Sequence, residues 1–142
     1  MSRTGRCLGG GVAYRVSTPI ESVGACHCGM CQRWSGGINL GFEVPPDGVI
    51  FEGAESIATY TSSEWGERAF CRVSGTHLYD RLTGDGPAQG TYSMHLGGLD
   101  QREGVPLTQE IYIDKKPDGY ALAGDHTRMT EDEFLRSIGV AP

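Results

Sequence analysis

The chain has 142 residues, enough to bury a core without disulfide staples, and reads as one domain over 1–142. Its 12 basic and 18 acidic residues give a net charge of −6, a balance that repels phosphate backbones and anionic lipid. Nucleic acid and membrane are therefore not expected partners, and no apolar run approaches the ~20 residues of a bilayer span.

The first residues, "MSRTGRCLGGGVAYRV", have basic groups but no hydrophobic stretch behind them, so they do not form a secretion signal. The "GGGV" within them leads into a strand pattern and lacks the lysine of a phosphate loop. Val12, Tyr14 and Val16 share one face of that strand. Ile38, Leu40 and Phe42 do the same further on, followed by "VIFE", "SIATY", "RAFCRV", "THLYD", "TYSMHL" and "EIYID". These period-two runs are rich in β-branched and aromatic residues and are separated by turns such as "VPPDGV", "TGDG" and "KKPDG". The expectation is a mainly β fold of several small coiled antiparallel sheets. A short C-terminal helix should begin at Thr130, with Glu133 completing a capping box and Gly139 as its stop; its stripe of Phe134, Leu135 and Ile138 packs the C-terminus down.

Five cysteines is an odd number, and three of them crowd into "GACHCGMCQRW". Without an export signal, such clustering favours metal or thiol chemistry in a reduced, cytoplasmic setting. In an extended segment Cys26 and Cys28 face one point while His27 faces away, toward a packing or supporting role. A turn through Gly29 and Met30 would bring Cys31 to the same point. Three thiolates can hold Zn²⁺ and leave its fourth position open, as a reactive site needs. Two rivals stand beside this reading. Cys28 and Cys31 could be a redox dithiol, although such pairs usually open a helix after a strand. A closed zinc site, completed by a fourth protein ligand, would make a non-catalytic binding module. Cys7 and Cys71, isolated in sequence, read as core cysteines.

Several ordered motifs together resemble the glutathione-dependent formaldehyde-activating enzyme family. Gly5 to Val12 resembles the family's G-x-C-x-C-G-x-V start, and Cys26 to Gly36 its C-H-C-x-x-C-R-R-x-x-G core. Tyr60 to Ser63, with Arg68 to Thr76, is similar to Y-x-S-S…R-x-F-C-x-x-C-G-[ST], and "GGLDQREGVP" to its G-x-L-D segment. The resemblance implies a fold of coiled β-sheets and a zinc-dependent carbon–sulfur lyase, one that joins formaldehyde to the glutathione thiol. It implies one reactive zinc per chain on Cys26, Cys28 and Cys31, which are also the catalytic residues. Arg33 would meet the anionic thiol; Arg68 and Arg72 flank the Cys71 segment, and Trp34 is read as core. The family's second, structural zinc uses two cysteine pairs. Gly9 and Ser74 replace one member of each here, leaving Cys7 and Cys71 as a degenerate second site with His77 the nearest spare ligand. That zinc is expected to be lost and the two segments joined by packing.

Overall fold

The computed structural model describes residues 2–140. The chain falls into two compact units, Met1–Glu21 with Gly41–Val105, and Ser22–Leu40 with Pro106–Pro142.

In the first unit, β2 (Ala13–Val16) lies between β1 (Arg3–Arg6) and β5 (Val49–Glu52), antiparallel to both. Its alternation is as expected, with Tyr14 and Val16 buried and Arg15 turned out. Gly5 lies opposite Tyr14, and a Cβ there would sit 2.4 Å from the Tyr14 ring, so glycine alone fits under it. An antiparallel run follows in the order β4-β9-β8-β7-β6. Its strands are β4 (Asn39–Val44), β6 (Ile57–Ser63), β7 (Gly66–Cys71), β8 (His77–Leu82) and β9 (Tyr92–His95). Phe42, Val44, Ala69, Leu78, Met94 and Leu99 form the core with Val12, Tyr14 and Val16. Phe51 brings Tyr14, Tyr79 and Tyr92 together at centroid distances of 5.9, 5.5 and 6.0 Å. Such aromatic contacts each add about 0.5–1.5 kcal/mol beyond the area they bury.

In the second unit, β10 (Leu107–Ile111) pairs in parallel with β3 (Val23–Cys26) and with β11 (Thr127–Met129). Two short helices accompany it, α1 (Gly29–Ser35) and α2 (Glu131–Ser137). The protein is thus mainly β with a short C-terminal helix. The capping box of α2 is complete: Glu133 N–H donates to Thr130 Oγ1 at 3.2 Å, and Thr130 N–H to Glu133 Oε1 at 2.9 Å. Such a cap stabilises a helix by about 1 kcal/mol. Gly139 follows with φ 81°, the left-handed conformation that a stop residue takes.

Two local expectations are corrected. The turn through Gly29 and Met30 is the first turn of α1, because Cys28 acts as its N-cap and Gly36, at φ 77°, closes its C-terminus. Ile38 does not share the buried face of Phe42. It is exposed, and Asn39 is buried instead, because its side-chain amide bonds a thiol.

Candidate metal centre

β3 ends at Cys26, and two residues later Cys28 caps α1. The Cys28 Sγ accepts from Cys31 N–H at 3.3 Å, so the cap bond itself draws two thiols of the cluster together. The Sγ atoms of Cys26, Cys28 and Cys31 all lie within 4.8 Å of one another. Tetrahedral zinc with bonds of about 2.3 Å holds its sulfurs roughly 3.8 Å apart, so a small inward movement would close the set on an ion. No histidine, cysteine, aspartate or glutamate joins the three as a fourth ligand among the described residues. Cys31 is buried, while Cys26 and Cys28 are half-buried.

Asn39 Nδ2 donates to Cys31 Sγ at 3.3 Å. Hydrogen bonds to the Cys28 and Cys31 thiols, and then burial, hold the Cys26 thiol well above the ordinary range. The physical cause is crowding: three thiolates cannot accumulate at one buried point without a cation. A divalent metal reverses this, because coordination deprotonates a thiol outright. The chemistry of the donor set therefore fits zinc, and Cys26, Cys28 and Cys31 could hold it.

His27 is not part of the three-thiol group and is 1% exposed. Its Nε2 lies 2.7 Å from Glu110 Oε1; Glu110 Oε2 meets His126 Nε2 at 2.6 Å and accepts from Arg128 Nε at 3.1 Å. Burial draws the Glu110 carboxyl upward, but its hydrogen bonds to His126 and His27 outweigh that and leave it below its ordinary value. Gln32 Nε2 donates to His27 O at 2.8 Å and to Lys115 O at 3.0 Å, tying the thiol loop to the chain beyond β10.

There, Tyr112 has φ 57° and ψ 41°, the one positive φ outside glycine among the described residues. Holding a bulky residue so costs about 1–3 kcal/mol. Burial first, then Glu131 and the three thiols push its phenol upward.

Arg33 is exposed on the last turn of α1, about 200° around the helix from Cys31 at ~100° per residue. Trp34 is half-buried. Arg68 is 7% exposed and meets both oxygens of Asp80 at 3.3 Å, and Arg72 donates to Ile57 O at 3.2 Å.

In the first unit, Cys7 and Cys71 are fully buried, and their side chains are hydrogen-bond partners. Val12 N–H donates to Cys7 Sγ at 3.3 Å and Ser74 N–H to Cys71 Sγ at 3.5 Å. Burial would raise the Cys7 thiol, but bonds from Val12, Ser74, Cys71 and Gly10 together lower it to about 7. Thr76 Oγ1 accepts from Leu8 N–H at 2.9 Å and lies 3.0 Å from Ser74 Oγ. Hydrogen bonds thus join the two segments. His77 packs against His95 instead, with ring centroids 6.4 Å apart.

Asn39, Glu110, His126 and Tyr112 were not legible as site residues. Asn39 sat in an alternation that pointed it outward, and the other three are brought near the thiols only by the parallel pairing of β10 with β3 and β11.

The profile of a family described as "Glutathione-dependent formaldehyde-activating enzyme" matches residues 2–115. An uncharacterized lyase of Schizosaccharomyces pombe is 28% identical over 134 residues, covering 94% of this chain and 95% of the relative. A solved protein of Rhodobacter sphaeroides superposes with a TM-score of 0.56 at 20% identity, over 74% of this chain and 99% of that one, and so shares the fold. This chain belongs to the glutathione-dependent formaldehyde-activating enzyme family.

Proposed function

We propose that Cys26, Cys28 and Cys31 hold one zinc ion per chain, and that at its open position the protein joins an aldehyde such as formaldehyde to the thiol of glutathione or a related thiol. The observation that carries this reading is the convergence of three thiols, two of them half-buried, with no fourth ligand beside them among the described residues. Structural zinc sites are closed by four protein ligands, whereas reactive ones keep a position for substrate. The family match and the lyase name of the yeast relative agree with a carbon–sulfur lyase.

Bound zinc would supply a site on which a substrate thiol loses its proton and becomes the nucleophile. Three thiolates already leave such a site with a formal charge of −1, which weakens its pull on a carbonyl oxygen and favours thiolate presentation over Lewis-acid catalysis. The chain's own residues do the rest. Cys28 fixes the start of α1, the Asn39 amide eases the charge on Cys31, and His27 anchors the loop from behind. Arg33 is the proposed contact for the anionic thiol, reached by a ligand that extends around α1.

The redox reading keeps one specific observation in its favour, since Cys28 and Cys31 do open a helix after a strand. Cys26 distinguishes the two, because a dithiol has no need of a third converging sulfur. The deciding experiment follows formaldehyde addition to glutathione by exchange NMR. The reading expects a rate above the uncatalysed one that disappears in Cys28→Ser; equal rates with and without protein would reject it.

A further inference from the structure

We propose that Tyr112 meets the substrate at the three-thiol site and gives its phenolic hydrogen to the aldehyde oxygen as the carbon–sulfur bond forms. The inference rests on the reading of the site given above and adds to it the group that handles the oxygen.

The backbone provides the first argument. Ile111 is the register partner of Cys26, so Tyr112 stands one residue past the point where β10 runs alongside the start of the thiol loop. Were the strand to continue, Tyr112 would fall on the same side as Glu110, over the buried carboxylate and its histidines. The left-handed turn at Tyr112 takes it off that face. Residues held in such conformations persist where their surroundings over-determine them, and they cluster at active sites.

Those surroundings are specific. On one side, the Gln32 amide of α1 bonds the carbonyls of both His27 and Lys115, fixing the segment after Tyr112 to the cysteine loop. On the other, the Phe134 ring of α2 lies 5.9 Å from the Tyr112 ring, and Glu131 N–H donates to Asp114 Oδ1 at 2.9 Å. The C-terminal helix therefore does more than pack the chain end down. It holds the tyrosine in its turned position. Tyr112 is half-buried, not sealed in the core.

The step balances as follows. The glutathione sulfur attacks the carbonyl carbon, so the C–S bond forms and the π pair of the C=O bond moves to oxygen. That oxygen takes the phenolic proton. The phenolate then regains a proton from water, which had received the proton of the thiol.

The test compares wild type with Tyr112→Phe, which keeps the ring and removes only the hydroxyl. Zinc per chain, glutathione affinity and the rate of formaldehyde addition to glutathione are measured for both. Zinc content and glutathione affinity should stay within about twofold of wild type, while the catalysed rate falls about 100-fold, the low end of what a positioned proton donor contributes. A variant that holds zinc and retains the wild-type rate would overturn the role of Tyr112 and leave the functional reading standing. A wild-type protein that gives no acceleration would remove that reading, and this inference with it. Should Tyr112→Phe not fold, the same comparison is made with Tyr112→Asn, whose short side chain tolerates the left-handed backbone and lacks the phenol.

Discussion

His27 Nε2 sits 2.7 Å from Glu110 Oε1, with both side chains 1% exposed, at the back of the loop that carries the three thiols. Glu110 also meets His126 and Arg128, so one buried carboxylate joins β10 to the cysteine loop and to β11. Removing that carboxylate leaves the two histidines buried without their partner.

Glu110→Ala should therefore destabilise the fold by about 3–5 kcal/mol, the usual cost of breaking a buried ion pair. Glu110→Gln, which retains the shape and part of the hydrogen bonding, should cost less. Urea unfolding of the two variants against wild type checks this. Equal, sub-kcal/mol losses would show the network to be dispensable.

The same carboxylate sets a pH dependence. Its value in the folded protein is depressed, so its contribution to stability is fully present above the ordinary glutamate range near ~4.3 and is lost as pH falls through the lower folded value. Thermal unfolding between neutral pH and about pH 3 should thus fall more steeply in Glu110-containing protein than in Glu110→Gln. A Cys28→Ser background removes acid release of metal from the comparison. Parallel curves would refute the assignment.

Asn39 donates to Cys31 Sγ and is not one of the three proposed ligands. Asn39→Ala should weaken zinc binding about 10-fold, at the low end of what supporting hydrogen bonds contribute to a metal site. Competition with a chromophoric chelator measures it. The fold should change little, because on the proposed reading the sulfur that loses its partner would still be held by zinc.

A Cβ built on Gly9 lies 3.6 Å from Ser74 Cβ, beside the hydrogen-bonded Cys7 and Cys71. Positions 9 and 74 therefore already converge as ligands of one ion would. Under reducing conditions Gly9→Cys with Ser74→Cys should add a second zinc per chain, and each single substitution should not. The pair must be kept reduced, since that Cβ separation also suits a disulfide. Unchanged metal content in the double variant would mean that the two segments are joined in a geometry no four-thiolate site can use.

The sequence carried the β-rich character, the α2 cap and the thiol cluster because each is written in local spacing: alternation, a four-residue capping box and cysteines two and three apart. Parallel pairing joins β3 to β10, more than eighty residues on, and β10 to β11 across an irregular connection, and no local pattern encodes it. Glu110 and Tyr112 reach the site only through that pairing. Asn39 was misread for a different reason. Period-two reasoning assigns faces by hydrophobicity, and here a polar side chain is buried to serve a thiol while Ile38 is left outside. Helix α1 was hidden by its N-cap, because cysteine is not among the residues that ordinarily mark a helix start.

The central claim is most directly tested by zinc stoichiometry, from native mass spectrometry of protein purified without chelator, alongside Cys28→Ser. The account predicts about one zinc per wild-type chain and none in the variant. Absence of zinc from freshly reduced wild type, or its retention in Cys28→Ser, would contradict the three-thiolate centre.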